Sequence, residues 1–182
     1  MKHAKFLIFV LIIITTISPL LTFGQTLKIT NHHPDIDGII SSGEYSMVIK
    51  IKNGYIYLSR TNQNIYAAIK AETTGWVAMG FNSLKMNSAD IIIGYVNKKE
   101  KVIKTQKGVG RTHRNFPIPY VIKSAISEKK GYTTLEVALR IGEKPSDLSL
   151  KGATFNMITA YGTKDNLKSY HKFRKPISVK LN

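Results

Sequence analysis

Gly75–Val96 reads GWVAMGFNSLKMNSADIIIGYV. Two stretches, Gly75–Phe81 and Ala89–Val96, are nearly continuous in apolar residues and end in small or aromatic ones. Short apolar runs of this kind read as strands buried on both sides rather than strands with one wet face. The connection between them, Asn82–Ser88, is polar apart from Leu84 and Met86. Working outward, a period of two dominates. Tyr45–Lys52 (YSMVIKIK), Tyr55–Arg60 (YIYLSR), Asn64–Ala71 (NIYAAIKA) and Tyr132–Arg140 (YTTLEVALR) alternate apolar and polar residues, the signature of half-buried strands. Ala153–Tyr161 and Pro176–Leu181 read as further, more buried strands, and Lys101–Gln106 and Tyr120–Ser127 carry a weaker signal. Turn residues fall between them at Asn53-Gly54, Asn62–Asn64, Asn97–Lys99 and Lys130-Gly131. No long amphipathic helix is present in the pattern. The expectation is an all-β chain, an antiparallel β-sandwich of roughly 8–11 strands.

The first residues, MKHAKFLIFVLIIITTISPLLTFGQ, place Lys2 and Lys5 before an apolar run from Phe6 to Leu21. Thr22 and Gly24 then occupy the small-residue positions of a cleavage site before Gln25. This reads as a secretory signal peptide over 1–24. The expected product is an exported chain, periplasmic or extracellular, forming a single domain over 25–182 with no membrane-spanning segment after cleavage. The 182 residues contain no cysteine, which excludes disulfides, thiolate metal sites, iron–sulfur clusters and covalent haem attachment. Lys+Arg number 27 against 11 Asp+Glu, a net charge of +16, which draws the chain toward acidic partners or surfaces. The cations are spread along alternating strands, a distribution that argues against nucleic acid as the partner.

Most catalytic patterns are missing: there is no HExxH, no GxSxG and no phosphate-cradling glycine loop. His32 and His33 are adjacent on an extended segment, where neighbouring side chains point to opposite sides and do not chelate. Asp35–Gly38 (DIDG) lacks most ligands of a calcium loop and reads as a turn. Lys107–Pro119 (KGVGRTHRNFPIP), with its glycines and prolines, reads as a loop.

Gly75, Trp76, Gly80, Phe81, Met86, Ala89, Asp90, Gly94 and Tyr95 together resemble the core signature of the DOMON domain. That module occurs in dopamine beta-monooxygenase and in the cytochrome domain of cellobiose dehydrogenase. Asp37-Gly38 with Gly43-Glu44-Tyr45 resembles the opening of prokaryotic members, and Thr159–Gly162 with Tyr170-His171 and Arg174 resembles the closing strands. The resemblance implies one of two ligands on one β-sandwich. In haem-binding members a methionine and a histidine clamp a b-type haem; here those positions are Met86 and His171, with Trp76, Tyr95 and Arg174 as further cofactor contacts. A thioether and an imidazole closing both axial positions suit electron transfer, with an acidic redox partner drawn by the basic charge and no catalysis by the chain itself. His113 is the substitute axial ligand should His171 face water. In sugar-binding members no cofactor is needed, and Trp76, Tyr95 or Tyr161 would stack on a glycan. Read as residues alone, Met86 also fits an exposed loop methionine, His171 a surface histidine, and Trp76 and Tyr95 core aromatics. Asp90 reads as a structural carboxylate that fixes a loop.

Overall fold

Alternation along each strand decides which residues meet between the layers. The computed structural model describes residues 25–98, 100–150 and 152–182; the leader assigned to 1–24 lies outside them. Twelve strands run β1 (Thr26–Leu27), β2 (Met47–Ile51), β3 (Gly54–Arg60), β4 (Asn64–Ala71), β5 (Val77–Phe81), β6 (Asp90–Val96), β7 (Lys101–Val109), β8 (Thr112–Asn115), β9 (Val121–Lys129), β10 (Tyr132–Arg140), β11 (Thr154–Tyr161) and β12 (Phe173–Leu181). They form a larger sheet of seven, in the order β1-β12-β11-β5-β6-β7-β8, and a smaller sheet of five, in the order β2-β3-β4-β10-β9. The pairs are antiparallel except β1 with β12, where Thr26 faces Lys180 and Leu27 faces Leu181. The fold is therefore the β-sandwich that the alternation predicts.

The core is the set of inward positions. Ile56, Leu58, Ile65, Ala67, Ile69, Leu135, Val137 and Leu139 of the smaller sheet meet Val77, Met79, Phe81, Ile92, Phe155, Met157, Ile177 and Val179 of the larger. Phe81 stacks on Phe155 with ring centres 6.0 Å apart. Each such large side chain contributes about 2 kcal/mol by leaving water. A chain without disulfides depends on apolar packing, of which this layer is the largest part. Pro176 sits inside β12 opposite Ile158 of β11. It is tolerated because β1 reaches only Lys180 and Leu181, leaving β12 an edge at Pro176, where a missing donor costs nothing.

One expectation fails. Lys107–Pro119 is not a loop up to Asn115: β7 continues to Val109 and returns as β8, with Gly108 opposite His113 and Val109 opposite Thr112. Gly110 takes a φ of 59° at the turn, and the Thr112 hydroxyl donates to the Val109 carbonyl at 3.0 Å. The glycines that suggested irregularity serve a tight hairpin instead.

Candidate functional site

A sandwich ordinarily turns polar residues outward. The larger sheet does not. In antiparallel pairs directly opposed residues share a face, and one outward row runs Arg174, Ala160, Ala78, Ile93, Lys104 across β12, β11, β5, β6 and β7. The next row runs Pro176, Ile158, Gly80, Ile91, Gln106. The centre of both rows is an apolar floor of Ala and Gly interleaved with Ile, and a cation stands at each end of the first. Ile93 is 2% exposed and Ile91 7%, so this floor is covered. The cover consists of the segments 82–88 and 163–172: Met86 from the first and Leu167 from the second pack on Trp76, Ala78, Ala89, Ile91 and Ile93.

Each segment is tied down by backbone chemistry. Asn82 and Ser88 adopt φ values of 63° and 66°, the left-handed region that asparagine and short polar residues tolerate best. Ala89 N–H donates to the Met86 carbonyl at 3.1 Å, Ser88 N–H to the Gly108 carbonyl at 3.0 Å, and Gly108 N–H to the Ala89 carbonyl at 2.9 Å. A Cβ on Gly108 would collide with that Met86 carbonyl. Asn87 Oδ1 accepts from Gly110 N–H at 2.8 Å. Met86 is thus seated on the floor by β7, and the glycine-rich look of Lys107–Gly110 comes from this close approach. At the other end the Trp76 ring lies against Gly162, where a Cβ would strike it. Its Nε1–H donates to Ser169 Oγ at 2.9 Å, and Gly162 N–H donates to the Trp76 carbonyl at 2.9 Å. The Gly-Trp pair of the sequence is a clasp for the 163–172 segment.

The structure brings Trp76, Met86 and Tyr95 onto one apolar cluster and puts Arg174 in its bordering row. His171 lies in the segment entering β12 and is exposed. Partial burial, and then the nearby Arg174 guanidinium, hold its imidazole below the usual range. His113 faces outward beside Gly108, and its Nδ1 is buried with no hydrogen-bond partner. Burial pushes its pKa down as well. Both imidazoles are therefore biased toward the neutral form, the one that ligates metals. Sequence reasoning missed Gly108, Leu167 and Ser169; the continuous apolar character of β5 and β6 was the available signal that something covers their outer face.

Two other expectations are settled by geometry. Tyr161 is no stacking platform: it is buried in the core, its ring stacked on Phe173 at 5.2 Å and its hydroxyl donating to the Lys52 carbonyl at 3.0 Å. Trp76, at 5% exposure, offers no face to solvent either. Asp90 does fix a loop: it accepts from Asn82 Nδ2 at 3.0 Å and from the Tyr120 hydroxyl at 2.7 Å, and pairs with Lys107 at 2.7 Å. Burial and this carboxylate raise the Tyr120 pKa. The tetrad floors a cavity of about 590 Å³ at one end of the sandwich, lined also by Phe116, Ile118 and Asp147. Met86, Trp76, Tyr95 and Arg174 do not line it. Among the described residues no cluster of three or more His, Asp or Glu is placed to hold a metal ion, and no helix is long and apolar enough to cross a membrane.

Comparison with known proteins adds the family. The profile of the DOMON domain matches residues 52–162. The chain belongs to the DOMON domain family. This DOMON chain is also similar in structure to the cytochrome b domain of pyranose dehydrogenase from Coprinopsis cinerea, at a TM-score of 0.50 and 10% identity over 64% of this chain and 67% of that one. The cytochrome domain of Myriococcum thermophilum cellobiose dehydrogenase matches at 0.50 and 9%, covering 71% and 75% respectively. A family 9 carbohydrate-binding module from Caldicellulosiruptor kristjanssonii, in complex with cellotriose, matches at 0.50 and 11%, covering 86% and 93%. At these identities the likeness concerns the fold. No curated protein sequence matches the chain. Met86, Trp76 and Tyr95 fall inside the matched range, and His171 and Arg174 fall beyond its end.

Proposed function

We propose that this DOMON chain is an exported, single-domain carrier that holds a b-type haem non-covalently on the outer face of its larger sheet. Met86 and His171 would hold its iron in this reading. The observation that carries it is the Met86 segment seated by Gly108 over an apolar floor of Ala78, Gly80, Ala89 and Ala160. The donor set fits such a group: a soft thioether, two imidazoles biased to neutrality, and cations at the ends of the row for carboxylates. A haem bound there supplies a one-electron iron couple. Met86 gives the sulfur, and His171, three residues ahead of Arg174, gives the nitrogen. Arg174 would pair with the propionates, and Trp76 and Tyr95 would exclude water from the rim. His171 is exposed in the closed form, so His113, beside Gly108, is the substitute imidazole if His171 does not fold in when the segments re-close. Because Ile91 and Ile93 lie closed beneath the two segments, loading requires 82–88 and 163–172 to part, as loops closing on a ligand do. The chain then passes electrons to an acidic partner and performs no reaction of its own.

The test is reconstitution of residues 25–182 with haemin, followed by oxidised and reduced spectra. Low-spin bands that vanish in Met86→Ala and in His171→Ala and persist in His113→Ala support the assignment. Loss in His113→Ala with retention in His171→Ala moves the nitrogen ligand to His113. Featureless spectra from folded protein, with calorimetric binding of cellotriose, would instead make the chain a cofactor-free carbohydrate-binding module.

A further inference from the structure

The smaller sheet has an outer face of a different kind. Its upper half is covered by the segment 31–46, which packs Ile36, Ile40 and Tyr45 on Tyr66, Ala68 and Ala138. The other half is bare. One row there runs Lys50, Tyr55 and Lys70 and ends at the buried Thr134, and the next begins Val48, Tyr57 and passes under the covering segment at Ala68. Val48 is 47% exposed and Tyr55 39%. The Tyr55 and Tyr57 rings lie 6.2 Å apart, centre to centre, and Tyr57 lies 5.7 Å from Tyr45. Lys70 Nζ stands 5.4 Å over the Tyr132 ring, and Lys129 is opposite Tyr132. Among the described residues the ion pair is Lys107–Asp90, on the other sheet, so Lys50, Lys70 and Lys129 have no carboxylate partner. The carboxylates near this surface are Glu72 at its edge, which accepts from Asn53 Nδ2 at 3.1 Å, Glu136, which is buried under the covering segment, and Glu44 and Asp37 of that segment, beside Tyr45.

We infer that this tyrosine–lysine face binds a linear acidic polysaccharide. The site is separate from the haem face, on the opposite sheet, and stands or falls independently of the haem reading. Pyranose rings present flat C–H faces that pack on tyrosine rings and equally on an aliphatic neighbour such as Val48. Uronate carboxylates spaced along the chain meet the lysines that flank the rings. A neutral glycan would leave three lysines without a counterpart. A nucleic-acid strand stacks its bases on ring faces, and here the exposed Tyr55 ring and the half-buried Tyr57 ring are tilted 49° to each other and share the platform with an aliphatic side chain. The net charge of +16 raises the local concentration of any polyanion; the face decides where it settles.

Affinity electrophoresis through gels containing polygalacturonate, with dextran and a dT oligonucleotide as comparison probes, tests this. The wild type is retarded by polygalacturonate and not by dextran. Tyr55→Ala/Tyr57→Ala weakens that retardation roughly tenfold, Lys50→Gln/Lys70→Gln weakens it with a shallower salt dependence, and the charge-matched Lys101→Gln/Lys180→Gln keeps it. Should the tyrosine variant fail to fold, the two charge-matched lysine pairs decide alone. Equal losses in the two lysine pairs, no retardation by polygalacturonate, or tighter tyrosine-dependent binding of the oligonucleotide would overturn the inference.

Discussion

The two sheets each carry an apolar patch on the outside, and they cover it by different means. The larger sheet uses two segments that lay Met86 and Leu167 on an apolar floor and are tied mainly by backbone and indole hydrogen bonds, with the Asp90 carboxylate holding Asn82 at the root of the first. The smaller sheet uses one segment held by a buried carboxylate. Glu136, fully buried on β10, accepts from the Tyr45 hydroxyl at 2.7 Å and from Gly38 N–H at 2.7 Å. Glu44 bends the segment by accepting from Asp35 N–H at 3.0 Å and Ser41 N–H at 2.7 Å. A carboxylate latch is specific and costly to desolvate, and it suits a permanent cover. Backbone ties around an apolar floor leave the interface greasy and separable, and they suit a cover that admits a flat ligand.

The comparison breaks first at the latch. Glu136→Ala leaves the Tyr45 hydroxyl and Gly38 amide buried without an acceptor and costs about 4 kcal/mol in urea unfolding, at 1–3 kcal/mol for each orphaned group. Little change would mean that the segment is held by its apolar contacts alone. Ile93→Ser on the larger sheet follows at about 3 kcal/mol, since it removes a buried side chain and buries a hydroxyl. A solvent-facing position would tolerate it. Trp76→Phe removes the bond to Ser169 and the part of the indole that lies against Gly162, costs about 2 kcal/mol and speeds proteolysis within 163–172 more than within 31–46. The smallest effect is a pH slope. Burial raises the Glu136 carboxyl above its ordinary value of 4.5, against the opposing Tyr45 and Gly38 hydrogen bonds. The native state then holds that proton more tightly than the unfolded one. Its contribution is complete below 4.5 and is lost as pH rises through the native pKa. Wild type should therefore lose stability relative to Glu136→Gln as pH rises above 4.5, measured by paired denaturation curves. A flat difference would show that the latch is ionised throughout.

The positions of the alternating strands were legible, and Asn64–Ala71 and Tyr132–Arg140 lie where the pattern puts them; the expected wet face was not, because segment 31–46 covers Tyr66, Ala68 and Ala138 and buries both strands on both sides. Lys107–Asn115 was misleading for a physical reason. Gly108 is required by the Met86 carbonyl and Gly110 by the hairpin turn, and both requirements look like disorder when read locally. The parallel pairing of β1 with β12 joins the two ends of the described chain, and no local pattern encodes it. Of the site, Trp76, Met86 and Tyr95 were found through their resemblance to a family motif. Their partners Leu167 and Ser169 carry no signal until the 163–172 segment is folded back.

By itself the sequence determined the class of fold, the family and the basic charge, because periodicity, motif and composition are properties of the chain read in order. Only the tertiary structure decided that the outer face of the larger sheet is apolar and closed, that Tyr161 points inward, and that Glu136 locks a segment about a hundred positions upstream, as the Gly38 contact across 98 residues shows. Those facts depend on which distant segments cover which face, and burial of that kind exists only once the layers have met.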